Sequence, residues 1–347
     1  MNVICAIAKN EHKYINDWVK YHIDIGFDYI YLFDNDDIDT KDNVLDYVNQ
    51  DYQSKVQVIN VRGWKELHLQ QHIYNDFYNK FKNNFDWCMF IDIDEYLFGV
   101  NNVKEWLKKI PNEYDQIRIK WKLFGDDDLI TRDMNLPVYK VFKNRIKYTL
   151  HRNLTQKGNL ECQGKSIVRG GLDNVIITSP HFASYNTRDN VLKSCLPSGK
   201  DCRYSKVVIH EPYDKETIWL HHYMTKSLSE FIEQKLNRND AVYNDSIGIN
   251  YYWRINQITL PKIKYLREKG IKWVLKLWLC LVIRIRIYGN LFIYVWKSIG
   301  KITQRLFILP KHLLTHTIRL YAPIYLYLNG LKGYMKRLKT YLVNIFC

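Results

Sequence analysis

Over its first hundred residues the chain alternates short apolar runs with stretches whose apolar residues recur every three or four positions, and this restricts the fold more than any other feature. Val3–Ala8 reads as a strand, and Asn10 is placed to cap a helix reaching Ile25 with Ile15, Trp18, Val19, His22 and Ile25 on one side. Tyr29–Phe33 and Lys55–Val61 read as the second and third strands, and Leu67, Tyr74, Phe77, Tyr78 and Phe81 mark a second helix. The run from Trp87 to Phe98 supplies the fourth strand. Strands separated by helices imply an α/β fold with a parallel sheet, whose ligands sit at the carboxyl ends of the strands. Three acidic clusters fall at such ends: Asn10-Glu11, Asp34-Asn35 and Asp92-Ile93-Asp94-Glu95.

The third cluster is the most informative chemically. Alternate residues of an extended chain point the same way, so Asp92 and Asp94 can share a divalent cation while Ile91 and Ile93 face the core. A strand running into an acidic turn is the plainer alternative. Beyond Pro111 the pattern turns to antiparallel-looking segments, Gln116–Phe124 and Val138–Leu150, with Gly125-Asp126-Asp127-Asp128 between them. In Thr217–Asn237, Leu228, Phe231, Ile232 and Leu236 keep helical spacing, and His222 and Lys226 would share a face on a helix.

Charge divides the chain. Of its 51 Lys and Arg and 36 Asp and Glu, 17 bases and a single acid lie from Lys262 onwards, so residues 1–261 are within one charge of neutrality. The implied organisation is a domain over residues 1–240, a connecting segment over 241–261 and a basic amphipathic tail over 262–347. Charges at Lys276, Arg284, Arg286 and Lys297 interrupt the tail's apolar runs before they reach the ~20 residues that span a bilayer, which predicts helices lying on an anionic membrane surface. Leu and Ile rather than small polar residues fill the spaces between charges, so no nucleic acid partner is expected. Seven scattered cysteines without a paired CxxC, and an N-terminus that enters a strand-like run at once, lead to the expectation of a cytoplasmic protein, peripheral on the inner face of a membrane.

Taken together, the motifs resemble the glycosyltransferases with the GT-A fold, within them the family 2-like and family 92-like proteins. The matching residues are Lys9-Asn10-Glu11 with Trp18, Tyr21-His22 and Gly26; Tyr31–Asn35; Gln70 or Gln71; Trp87 and Phe90–Phe98; Trp121 with Phe124-Gly125; Lys165–Val168; and His222-Tyr223, Lys226-Ser227, Glu230-Phe231, Lys235 and Arg238. The resemblance covers roughly residues 1–240 and leaves out the tail. It implies a mixed sheet flanked by helices, a UDP-sugar donor, Mn²⁺ or Mg²⁺, and a glycan or lipid-linked acceptor in cell-surface polysaccharide or lipopolysaccharide synthesis, with galactose or glucose as the sugar. Asp94 is then the first choice for metal contact. Asp92 faces the ribose or shares the ion, His222 resembles a third protein ligand, and Lys226 and Arg238 resemble phosphate contacts. Glu11 and Asp34, with Asn10 and Asn35 beside them, resemble the nucleotide contacts; Glu95 is left between ligation through water and holding the turn. An inverting reaction needs a carboxylate base, and Asp126, Asp127 and Asp128 are the candidates, with Asp127 the first choice and the three left open.

Two other classes compete. A strand ending in Asp-x-Asp also opens the haloacid dehalogenase-like phosphatases, but Glu95 stands where they usually carry Thr or Val. A non-catalytic membrane-associated scaffold would leave the carboxylates merely solvated.

Overall fold

The computed structural model describes residues 1–146, 163–185, 192–202, 204–205, 208–209, 216–236, 252, 255–257 and 259–269. Its contacts divide the chain into two compact units, Met1–Tyr265 and Leu266–Cys347. Arg238 and the tail beyond residue 269 lie outside the described residues. Among the described residues no helix is long and apolar enough to cross a membrane.

The first half follows the alternating pattern: β1 (Asn2–Ala8), α1 (His12–Asp24), β2 (Tyr29–Asp34), α2 (Gln50–Gln53), β3 (Val56–Asn60), α3 (Leu69–Phe81) and β4 (Trp87–Phe90). β1, β2, β3 and β4 are parallel, in the spatial order β3-β2-β1-β4. Side chains alternate between the two faces as the two-residue strand period requires. Ile4, Ala6, Ile30, Leu32 and Met89 pack with Trp18 and Val19 of α1, whereas Val3, Cys5, Tyr31, Phe33, Cys88 and Phe90 pack with Ile73, Tyr74, Phe77 and Tyr78 of α3. The chain leaves β1 toward β2 on one side and returns to β4 on the other, so the carboxyl ends of β1 and β4 flank the switch point where an open α/β sheet binds ligands.

The second half extends the same sheet with mixed strands. After β4 come β5 (Glu95–Phe98), α4 (Val103–Leu107), β6 (Gln116–Leu123), α5 (Val138–Val141) and β7 (Gly164–Arg169). β8 (Val175–Ser179) and β9 (Phe182–Tyr185) form a separate antiparallel pair, as do β11 (Tyr204–Ser205) and β12 (Val208–Ile209), and β10 (Ser194–Cys195) joins β6. β13 (Trp219–His222), α6 (Leu228–Gln234) and α7 (Leu260–Glu268) complete the described elements. The main sheet runs β3-β2-β1-β4-β7-β6-β13-β5, with β7 antiparallel to both neighbours and β5 antiparallel to β13. The result is a mixed sheet flanked by helices.

Three local expectations need correction. Asn10 does not cap α1: it sits at φ +56 and donates its amide to Asp36 Oδ1, leaving Glu11 at the cap position. Val138–Leu150 does not begin as a strand, because Pro137 opens a helical turn that sends Val138 and Phe142, four apart, into the core. His222 and Lys226 do not share a helix face: His222 ends β13, and α6 starts only after Ser227, whose hydroxyl accepts from the Glu230 amide while the Glu230 carboxylate accepts from the Ser227 amide.

Candidate active site

Strand register assembles the site. β5 leaves the acidic turn antiparallel to β13, which places His222 opposite Glu95, and β13 runs parallel to β6, which places His222 beside Leu123. β7 runs antiparallel to β4 with Met89 opposite Ile167, so Lys165, two residues earlier, arrives beside the end of β4. Its neighbour Gly164 has no room for a side chain, since a Cβ there would lie 1.8 Å from the Ile119 carbonyl oxygen.

Each carboxylate of the turn has its own partners. Asp92 Oδ2 accepts from Lys165 Nζ at 2.8 Å and Oδ1 from Gln70 Nε2 at 2.6 Å. Asp94 Oδ2 accepts from Lys235 Nζ at 2.5 Å, and Asp94 Oδ1 lies 3.3 Å from His222 Nε2. Glu95 is fully buried: Oε1 accepts from Trp121 Nε1 at 2.8 Å and faces His222 Nδ1 at 3.7 Å, while Oε2 accepts the Asp92 amide at 3.1 Å. Glu95 therefore holds the turn from inside. The Trp18 indole donates to the Glu95 carbonyl, fixing the same turn from α1.

The electrostatics separate the three acids. Burial pushes every one of them up, but for Asp94 the charges of Lys235, His222 and Lys226 outweigh it and hold the carboxyl well below the usual range. Asp92 is likewise held down, against burial, chiefly by Lys165. Glu95 goes the other way: burial dominates, Asp92 and Asp94 add to it, and its pKa rises well above the ordinary value despite Lys165. Two of the three carry full negative charge and the third supports them.

Lys226 is the most unusual group near the turn. Its side chain is buried, its backbone is left-handed at φ +53, and its ammonium makes no hydrogen bond among the described residues; it lies 4.2 Å from the centre of the Tyr14 ring. Burial lowers its pKa, offset in part by Glu11 and then Asp94. Tyr14 donates to Glu230 Oε1 at 2.9 Å, Arg132 Nε donates to the same oxygen at 2.8 Å, and Glu230 closes the α6 capping box, so this helix terminus is fixed against α1. Gln234 adds a bond to the Asn10 carbonyl.

Other predicted residues lie further from this centre. Asp34 ends β2, but Arg62 grips its Oδ2 through Nε at 2.9 Å and Nη2 at 2.7 Å, and Oδ1 accepts the Asp36 amide. Asn35 donates to the carbonyls of Val61 and Trp64, tying down the loop after β3. Asp126 is buried against Lys262 Nζ at 2.5 Å and Tyr252 OH, and Asn256 accepts its amide. Asp127, in a left-handed turn, accepts the backbone amides of Lys143 at 2.7 Å and Asn144 at 3.1 Å. Lys165, Lys235, Gln70 and Trp121 were part of the motif pattern, yet nothing local assigned them roles. A single lysine opening an apolar strand, as in Lys165-Ser-Ile-Val, is the one signal that could have been read.

The donor set suits a hard divalent cation in part. Asp94 Oδ1 and His222 Nε2 are a carboxylate and an imidazole at a separation that one ion can bridge. Glu95 beside the other ring nitrogen is the supporting contact that metal-bound histidines usually have. Asp92 has both oxygens engaged, and among the described residues no three His, Cys, Asp or Glu side chains converge as a complete metal cage. Asp94 and His222 are the pair that fits, with the remaining ligands left to water and phosphate oxygens.

The family model for glycosyltransferase family 92 matches residues 3–246. The chain belongs to glycosyltransferase family 92. Two curated members are similar to it: one from Ricinus communis, 26% identical over 132 residues, and one from Oryza sativa subsp. japonica, 23% identical over 99 residues. These matches cover 36% and 28% of this chain but only 23% and 16% of the plant proteins, so the family 92 chain described here aligns with a small part of each. A solved galactosyltransferase, LgtC, in complex with donor and acceptor sugar analogues, overlaps 49% of this chain and 58% of its own at 15% identity. Its TM-score of 0.23 is too low to argue from.

Proposed function

We propose that this family 92 chain transfers a hexose, galactose or glucose, from a UDP-sugar to a glycan or glycolipid acceptor with inversion, using Mn²⁺ or Mg²⁺. The observation that carries the reading is the buried Lys226 ammonium, which has no hydrogen-bond partner among the described residues and lies within the electrostatic reach of Asp94. A buried cation left unpaired costs several kcal/mol, on the order of 3, and an anionic ligand at the switch point removes that cost. A diphosphate supplies such an anion.

In this reading Lys226 receives the donor's diphosphate and Tyr14 holds the ammonium at the correct height. Asp94 and His222 hold the divalent ion, which when bound acts as a Lewis acid on the departing diphosphate. Lys165 and Gln70 keep Asp92 oriented, with its partly open carboxylate toward the ribose or the ion. Glu11 completes the nucleotide side, and Asn10, Asp34 and Asn35 shape its floor through Asp36, Arg62 and the loop after β3. Arg238 remains a proposed phosphate contact from its sequence position alone. Asp127 is the proposed base, since its carboxylate meets the backbone amides of Lys143 and Asn144, whereas Asp126 is enclosed by Tyr252 and Lys262. A phosphatase would need Asp92 as a free nucleophile, and Gln70 and Lys165 hold both of its oxygens.

The basic tail supports a further part of the proposal, attachment to the inner face of an anionic membrane beside lipid-linked acceptors of polysaccharide or lipopolysaccharide synthesis. Incubating the full chain with a panel of UDP-sugars, with and without MnCl₂, tests the chemistry. Release of UDP from one sugar, dependent on the ion and abolished by Asp94→Ala, is expected; turnover unaffected by Asp94→Ala rejects the assignment.

A further inference from the structure

Lys235 gives the site a property that neither the acidic turn nor the buried Lys226 has alone. It stands at the C-terminal cap of α6, its side chain 13% exposed, and it spends one donor on Asp94 Oδ2 and a second on the Met224 carbonyl at 2.8 Å. An ammonium has three donors, so one remains. The two oxygens of Asp94 are thereby divided, Oδ1 toward His222 and Oδ2 toward Lys235.

The arrangement at Asp92 is different. Lys165 projects from the middle of the sheet, is 1% exposed, and reaches both Asp92 and, at 3.9 Å, Glu95. It cannot leave without stranding the buried Glu95 and the partly buried Asp92. Lys235 serves Asp94 alone and comes from the end of a seven-residue helix.

Charge balance points the same way. Each aspartate of the turn already has an ammonium on one carboxylate oxygen, Asp92 from Lys165 and Asp94 from Lys235. Arg132 is paired with Glu230. The free protein thus already supplies a cation to the aspartate that would take the ion. A divalent cation arriving by itself meets an Asp94 already paired with a cation and adds two uncompensated charges to a low-dielectric pocket. A diphosphate arriving with the ion brings the negative charge that both the ion and a displaced ammonium need.

We propose that Lys235 is a built-in rival for the ion: it holds Asp94 in the free protein and passes to the donor's diphosphate when ion and nucleotide arrive together. Tight ion binding at Asp94 and His222 is thus conditional on the nucleotide. This rests on the reading of Asp94 and His222 as the ion's ligands. No bond is made or broken; a charge-assisted hydrogen bond moves from carboxylate to phosphate.

The test measures Mn²⁺ binding to the full-length chain by electron paramagnetic resonance of the free ion, in MnCl₂ alone and with UDP, for wild type, Lys235→Met, Lys235→Gln and Lys235→Arg. Melting temperatures report that each variant folds. Lys235→Met and Lys235→Gln should bind Mn²⁺ alone about tenfold more tightly than wild type and lose most of the tightening that UDP gives the wild type. Lys235→Arg, which keeps the charge, should behave as wild type, and Asp94→Asn added to Lys235→Met should erase the gain. Unchanged or weaker Mn²⁺ binding in both neutral variants overturns the proposal, as does a gain that survives Asp94→Asn. UDP binding by equilibrium dialysis without metal is read separately. Its absence from every variant counts against the nucleotide reading, while the MnCl₂ arm still decides the role of Lys235.

Discussion

Lys226 carries a desolvation cost in the free protein that Glu11 and Asp94 offset only in part, so its removal should separate stability from function. Lys226→Met is expected to raise the melting temperature or leave it level, since the buried charge above the Tyr14 ring is replaced by an apolar group. The KM for the donor should rise roughly 10- to 100-fold, the loss expected for a charge-assisted contact of about 1.5–3 kcal/mol. Melting scans and donor titrations check both; a melting temperature that falls sharply would mean Lys226 is structural. Histidines predict a second residue-scale behaviour. His22 is fully buried, donates through Nδ1 to the Trp18 carbonyl, and among the described residues has no partner for Nε2; burial depresses its pKa from 6.5 to about 3. Burial takes His181 and His221 to about 3 as well. Between these values the unfolded chain binds protons that the folded chain refuses, so stability is lost as pH falls from 6.5 toward 3, by about 1.4 kcal/mol per unit for His22 alone. Urea denaturation across pH 6.5–4 should show this slope, and His22→Asn, which keeps the donor and does not titrate, should reduce it.

Elements place the groups that residues alone cannot. The α6 capping box sets where the helix begins and with it the left-handed conformation of Lys226, the contact of Glu230 with Tyr14, and the reach of Lys235 to Asp94. Ser227→Ala should cost about 1 kcal/mol in stability and raise the donor KM as the helix start loosens, checked by denaturation and kinetics on one preparation. Asp127 anchors the turn after β6 to the backbone of Lys143 and Asn144. An Asn there keeps an accepting oxygen and cannot take a proton, so Asp127→Asn should leave the melting temperature nearly unchanged while kcat falls by roughly 10²–10⁴ if this residue is the base. An unaltered kcat moves the base elsewhere. The element scale also explains why His222 and Lys226 were misread. Helical spacing from Leu228 to Leu236 was extended backwards across Ser227, whereas the capping box stops the helix there and releases the preceding residues to pair as β13 with β5 and β6.

Across the whole molecule, the end of the first compact unit matters for any truncation. Lys262 is fully buried between Asp126 and Asp128, and that unit extends to Tyr265. A chain ended at residue 261 should lose about 3–5 kcal/mol of stability because Asp126 is left buried and without its cation, whereas a chain ended at residue 269 should melt near the full-length protein. The longer truncation is the correct one for asking whether the basic tail binds anionic liposomes, and retained binding without the tail would reject the membrane proposal. The sequence by itself determined the alternation of strands and helices in the first hundred residues, the three acidic strand ends, the family, and the division between a neutral domain and a basic tail. These are carried by local periodicity and by short motifs, which one stretch of chain records on its own. Tertiary structure decided which partner each carboxylate meets: Lys165 at Asp92, Lys235 and His222 at Asp94, Trp121 at Glu95, Arg62 at Asp34 and Lys262 at Asp126. Those partners are 26 to 141 residues apart or joined through strand register, so no local pattern holds them. The balance between burial and those partners then sets which acids stay charged, a property of the assembled sheet and helices alone.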